Sequence, residues 1–472
     1  MAPSRPGPNP RTSLGDRELR LWRVGRALTV TFVAAVLVAG GVLFGLVVLL
    51  DVQEIDRTAK LDARTLFDLV KLSFGVVAGA GALVALVVAY RRQRVDEAGA
   101  HREATRLHTE RFTAAVEQLG SGSPAVRLGG VHALAGLADD APDQGLRQTC
   151  IDVLCAYLQL PFTPDPGTDP SHQEEHHRYL AFRKVRHTIM RLIGDHYRRP
   201  RGTHRSWQGC DLDLTGVTID GPMDFTGAEF TGGTVHFTGA EFTGSTVDFS
   251  STVLTGGTVD IGRAVFSGGT VHFTGAELSG STVDFNGAEF CGGTVDFSST
   301  VLTGGTVHFG RAVFSGGTVH FTGAEFTGST VDFNGAEFSG STVYFGRAVF
   351  SGGTVHFGGV VFSGGMVHFG RGVFSGGKVD FGSVMFSGGT VDFGSAVFSA
   401  GTVHFVGAEF SGGTVDFSNT VFSGSTVDFS SAEFSGGTVH FRSVTGPVPS
   451  GLLAAVGSPA PAKVTLSSTW LP

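Results

Sequence analysis

The feature that most constrains this chain is an aromatic or branched aliphatic residue recurring every 12 positions without a gap. The series begins Phe225, Phe237, Phe249, Ile261, Phe273, Phe285 and runs on to Phe441. A second series lies five residues after the first: Phe230, Phe242, Leu254, Phe266, Leu278, Phe290, ending at Phe434. Two residues before each member stands a small or β-branched residue, such as Val235 before Phe237 and Ala240 before Phe242. A fixed period of this kind marks stacked units, none of which can bury its apolar face alone. Withdrawing one Phe from water contributes about 1.5–3 kcal/mol, and ring pairs add ~0.5–1.5 kcal/mol. Exposed charge pairs are worth only about 0–1 kcal/mol each. The Phe ladder therefore dictates the fold, and outward residues are free to vary.

Those outward residues decide the length of one coil. Glu229 and Glu241, Glu277 and Glu289, and Glu325 and Glu337 are each 12 residues apart. Coils of 12 would stack like charges three times, which destabilises a sheet. Coils of 24 instead set these glutamates against Val253, Val265, Val301, Val313, Val349 and Val361, leaving only Glu409 over Glu433 in conflict. A 24-residue coil is expected, with about nine coils at ~4.8 Å spacing. The near-identity of Gly227–Thr274 and Gly275–Thr322 points to duplication in units of 48.

Each unit reads small, x, Phe/Leu, Ser/Thr/Gly, x, with two such pentapeptides and a Gly-Thr or Ser-Thr insertion per 12 residues. The pattern resembles the pentapeptide-repeat family. That resemblance implies a right-handed, four-sided parallel β-helix with the Phe/Leu and the small residue pointing inward. Together with the N-terminal features below, the chain is similar to membrane-anchored pentapeptide proteins of actinobacteria.

Upstream of the repeat the chain changes character. Residues 27–50 form an uncharged run of 24 and residues 72–90 one of 19, each near the ~20 residues that cross a bilayer as helix. Arg5, Arg11, Arg17, Arg20, Arg23 and Arg26 precede the first run, and Arg91, Arg92 and Arg94 follow the second. The positive-inside rule then places both ends in the cytoplasm. The expected fold class is α+β in several parts: two transmembrane α-helices and a small α-helical region, then the β-helix. The expected boundaries are a basic cytoplasmic N-terminus (1–26), transmembrane helices at 27–50 and 67–90 around a short external loop (51–66), a cytoplasmic helical linker (91–206), the β-helix (207–445) and a Pro/Gly/Ala-rich tail (446–472). The expected location is the plasma membrane, multi-pass, with the β-helix cytoplasmic and the lipid bilayer as partner. Gly41 to Gly45 and Gly75 to Gly79 have the G-x-x-x-G spacing that lets helices approach closely, so a homodimer is a further expectation.

Within the linker, residues 95–119 read as a helix with Phe112, Val116 and Leu119 on one face, broken at Gly120–Pro124. Residues 125–138 resemble one helix of a HEAT or armadillo repeat, and a second, about Leu146 to Leu160, can pack on it. After a linker at 161–171, Phe182, Val185, Ile189 and Leu192 form a stripe opposite Arg183, Lys184, Arg186 and Arg191. His172, His176 and His177 with Glu174 and Glu175 are better explained as a polar helix start than as a metal cluster. Four cysteines (Cys150, Cys155, Cys210, Cys291) lack disulfide or zinc spacing and read as free thiols.

Function is less legible. Between Cys210 and Val444 stand 21 acidic and 6 basic residues, a balance of −15 within a chain of −8. The residue before the first Phe of each unit is nearly always His or Asp, as in Asp224, His236, Asp248, Asp260, His272 and Asp284. His titrates near neutrality, so a metal- or pH-responsive stripe is an alternative to solvated cross-coil pairs. Thr234, Thr246 and Thr258 suggest an outward Thr column similar to those of ice-binding solenoids, which the neighbouring charges argue against. No triad and no phosphate-cradling loop occurs. No catalytic, cofactor-binding or metal-ligating residue is assigned, and no enzyme activity or direct nucleic-acid binding is expected. The expected function is a membrane-tethered scaffold presenting an acidic rod to a cytosolic protein. The alternative is nucleic-acid mimicry, as in pentapeptide proteins that bind DNA gyrase. Trp207 is expected to cap one end of the rod, and Leu452, Leu453 and Trp470 the other.

Overall fold

The computed structural model describes residues 63–472, except 163–164, 232, 458–462 and 471–472, together with nine positions between 29 and 44. It divides into two compact units, residues 1–105 and 106–472.

In the first unit the chief element is the start of helix α1 (Ala63–Leu119). Among the described residues no helix is long and apolar enough to cross a membrane. This corrects the two expected transmembrane helices, and with them the multi-pass plasma-membrane location. Most of the first expected span, 27–50, lies outside the described residues. The second, 72–90, is one stretch of the 57-residue α1. That helix runs on without a break into Arg91, Arg92 and Arg94 and far beyond them.

The second unit opens with the last turns of α1, which bury Ala115 and Leu119. Helix α2 (Pro124–Asp139) begins with a proline, whose absent N–H costs nothing in a first turn. Helix α3 (Gln144–Gln159) is capped by Asp143, which accepts from the Leu146 N–H at 2.9 Å. Helix α4 (Gln173–Tyr197) follows a single 3-10 turn. The expected hairpin of α2 and α3 forms, and α4 closes it into a small bundle around Leu134, Ile151, Leu154, Val185 and Ile189, all fully buried. Close approach needs a bare backbone at Gly130, where a Cβ would lie 2.6 Å from the Leu119 nitrogen.

From Leu212 onward the chain is a parallel β-solenoid. Successive strands pair with residues 24 positions on, as in Val265 with Glu289 and Thr270 with Thr294. The 24-residue coil expected from the glutamates is the one observed. Glu277 lies between Val253 and Val301, while Glu409 lies over Glu433. Each coil has four sides. Side 1 contains Glu229–Thr231 and its successors, side 2 Thr234–His236, side 3 Glu241–Phe242 and side 4 Thr246–Asp248. Sides 1 and 2 merge into one 17-stranded sheet, while sides 3 and 4 form sheets of 10 and 11 strands. About ten turns result, close to the nine counted from the period.

The interior follows from the repeat. Every Phe of the first series is fully buried. Rings 24 residues apart stack nearly parallel, as in Phe285 on Phe309 at 4.8 Å and 5°. Neighbouring columns meet edge to face, as in Phe285 on Phe297 at 85°. The corner glycine of the insertion is forced by this packing: a Cβ on Gly269 would lie 2.6 Å from that of Phe242.

The ends of the solenoid are closed. Tyr197 of α4 lies over the first coil, 5.5 Å from Phe230 and 5.8 Å from Phe225, and its hydroxyl donates to the Cys210 carbonyl at 2.7 Å. Trp207 belongs to the helical bundle: it stacks on His196 at 4.2 Å and its Nε1 donates to Asp139. At the far end Val464 extends side 4, and Trp470 covers Phe441 at 5.4 Å. Leu452 is buried there, but Leu453 is half exposed and takes no part in the core.

Candidate functional site: the outward rows of the solenoid

With the interior given over to Phe and Val, the solenoid offers four outward surfaces of two kinds. Sides 2 and 4 carry the tripeptide Thr-Val-His/Asp with Val inward, so each shows a row of Thr beside a row of His and Asp. Thr234 and Thr258 share a row on side 2, whereas Thr246 belongs to side 4. The three expected in one column thus fall in two.

The aspartates do more than face solvent. Asp224, Asp248, Asp260 and Asp284 each accept, through Oδ1, the backbone N–H two residues on, at 2.7–2.9 Å. The following residue takes the left-handed conformation: Gly227, Ser251, Arg263 and Gly287 have φ of 69°, 55°, 57° and 65°. This is an Asx turn, in which the side chain stands in for a backbone carbonyl. The sequence carried the signal, since Asp precedes Phe-x-Gly or Phe-x-Ser repeatedly, but the residues read as charge rather than as turn chemistry.

Histidine meets aspartate between coils at four places, where Nδ1 approaches a carboxylate: His236 to Asp260 at 3.7 Å, His272 to Asp296 and His308 to Asp332 at 3.9 Å, and His368 to Asp392 at 3.2 Å. On side 4 the row is interrupted by a ring stack not foreseen from the sequence, with Tyr344 4.8 Å from His320 and 5.1 Å from His368. Among the described residues no group of three or more His, Cys, Asp or Glu could hold a metal ion. His172 and His176 pair separately, with Glu175 at 3.1 Å and Asp165 at 2.6 Å.

Sides 1 and 3, opposite each other by chain order, are different. Glu229, Glu277 and Glu325 on side 1 and Glu241, Glu289, Glu337, Glu409 and Glu433 on side 3 have no ion-pair partner among the described residues. Val253, Val301 and Val313, which separate them, are more than a third exposed. The result is a strip in which free carboxylates alternate with small apolar patches. At ~4.8 Å per coil glutamates two coils apart recur about every 10 Å.

The cysteines are all free: Cys291 is exposed, and burial pushes the Cys150 and Cys155 thiols up to about 12.

Residues 321–372 match a family model described as pentapeptide repeats (9 copies), in the middle of the observed solenoid. The match does not reach the N-terminal region, and nothing in it supports the narrower, membrane-anchored actinobacterial type. No curated protein and no solved structure matches the chain.

Proposed function

We propose that this pentapeptide-repeat β-solenoid is a non-enzymatic scaffold whose glutamate- and valine-bearing sides bind a basic protein segment. The observation that carries the reading is two opposite rows of unpaired glutamates, in which Glu229, Glu277 and Glu325 on side 1 and Glu241, Glu289 and Glu337 on side 3 alternate with valines, while Glu409 and Glu433 adjoin each other farther along side 3. A carboxylate with no cation beside it is available to an incoming Lys or Arg, and the valines between supply apolar contact at matching intervals. The −15 balance of the solenoid adds long-range attraction for a basic partner. The His/Asp rows are less suited to this role, because their aspartates are engaged in turns.

The test is a crosslinked pull-down with the full chain in nuclease-treated extract. The wild type is compared with a variant carrying Glu→Gln at 241, 289, 337, 409 and 433, and a second carrying it at 229, 277 and 325. A basic protein held by the wild type, released by salt and lost from either variant supports the reading. Release of that protein by duplex DNA would mark the acidic strip as a nucleic-acid mimic. Identical catches from all three chains would remove the glutamate strips from consideration.

A further inference from the structure

We propose that the helical bundle holds a binding site for a small planar aromatic carboxylate, in the cavity between α2, α3 and α4. The cavity measures about 500 Å³, within the ~300–1,000 Å³ typical of small-molecule sites. It lies apart from the strips proposed to bind a protein, and the two readings stand or fall separately.

Its walls are aromatic and its charge is positive. Phe162 from the α3–α4 loop and Tyr179 of α4 lie 5.3 Å apart, and Tyr157 and Phe182 complete a ring-lined wall. Two guanidiniums sit against these rings: Arg186 4.7 Å over Phe162, and Arg127 4.5 Å over Phe182. The one carboxylate lining the cavity, Glu175, is turned to His172 at 3.1 Å.

Arg186 is the residue that asks for a ligand. The sequence sets it in a basic helix face, yet it is only 3% exposed. Nη1 donates to the Leu158 carbonyl at 2.8 Å and Nη2 to that of Thr218 at 2.9 Å, while the buried Nε has no acceptor. No carboxylate lies within ion-pair distance of it among the described residues. Arg127 is half-buried and likewise bonds only neutral groups, the Tyr157 hydroxyl at 2.9 Å and the Ser121 carbonyl. The nearest counter-charge to Arg186, Asp220, acts on it only from beyond ion-pair distance and is itself engaged by Arg183. A buried charge so weakly compensated is costly, and burial pulls the Arg186 guanidinium below its ordinary value. A carboxylate satisfies such forks in charge-assisted hydrogen bonds, while a flat body fills the space between the rings. A neutral ligand would leave both cations as they are.

Calorimetric titration of the full chain with 1-naphthoate tests this, with 1-naphthalenemethanol as the uncharged analogue. Saturable 1:1 binding is expected, weakened roughly tenfold or more for the neutral analogue and for Arg127→Gln, as expected when a charged hydrogen bond is lost. Phe162→Ala removes a wall without touching charge and is expected to weaken naphthoate and its analogue alike. Arg186→Met is scored by the same titration where its circular dichroism matches the wild type; the other two variants carry the test where it does not. Absence of saturable naphthoate binding would overturn the proposal, as would equal affinity for the neutral analogue. Displacement of naphthoate by equimolar inorganic phosphate would also overturn it, since the site would then take an anion without regard to the flat body.

Discussion

The helical bundle and the solenoid bury apolar surface by opposite means. In the solenoid each core position is repeated, so Phe309 meets Phe285 and Phe333 at the same 4.8 Å and nearly the same 5° tilt. In the bundle every buried contact occurs once. Tyr197 bonds the Cys210 carbonyl, Trp207 and His196 stack on each other beside Asp139, and Arg186 bonds the Leu158 carbonyl; none of these contacts recurs at a fixed spacing. Stability in a repeat array is close to a sum of units and nearest-neighbour contacts. The bundle instead concentrates its hold on the first coil in a few side chains.

The contrast can be broken first with paired truncations. Tyr197→Ala and Phe309→Ala each remove a fully buried ring, and each is expected to cost about 3–5 kcal/mol. Hydrogen exchange should separate them. Loss of Tyr197 is expected to expose amides along α4 and the first coil, while loss of Phe309 exposes only coils on either side of it. Equal, global loss of protection in both variants would show that bundle and solenoid unfold as one cooperative unit.

A second test concerns the bond between the two regions. Asp220 of the first coil is half-buried, which alone would raise its carboxyl. The His187 imidazole 3.3 Å away and the hydrogen bond from Arg183, both on α4, outweigh that and hold it below the usual range. A depressed carboxylate stabilises fully above its unfolded value, about pH 3.9, and that stabilisation is lost as pH falls through the folded value. Acid titration is therefore expected to loosen the α4 junction, and Asp220→Asn to flatten that pH dependence while lowering stability at neutral pH. An unchanged acid transition in the variant would exclude Asp220 as its source.

A smaller effect is expected inside the solenoid. Ile261 is the only non-aromatic member of the first series and lies between Phe237 and Phe285 in its column. Ile261→Phe should continue the stack and raise stability by about 0.5–1.5 kcal/mol. A lower unfolding midpoint would mean that the coil has closed around the smaller side chain. The smallest expected effect is at the glutamate-over-glutamate contact between coils, Glu409 on Glu433. Glu433→Gln removes the repulsion from Glu409 and should stabilise by about 0.2–1 kcal/mol, less at high salt. Glu289→Gln, between Val265 and Val313, is the control and should change nothing. Equal shifts from both would place the effect in total charge rather than in that contact.

What the sequence determined by itself was the solenoid: its interior residues, its 24-residue coil, and the positions where glutamate faces valine. It could do so because a repeat writes each residue's neighbour into the chain, 24 positions away. The Asp turns were equally local and could have been read from Asp-Phe-x-Gly. Hydropathy alone misled over residues 72–90, because a local average does not reveal where a helix begins and ends. The tertiary structure alone decided the rest. Arg186 carries the same code as Arg183 and Lys184 beside it, yet only Arg186 is buried, over Phe162 and against Thr218 of the first coil. Its partners come from separate segments with no period linking them. The cavity it lines exists only once three helices and the loop before α4 have met.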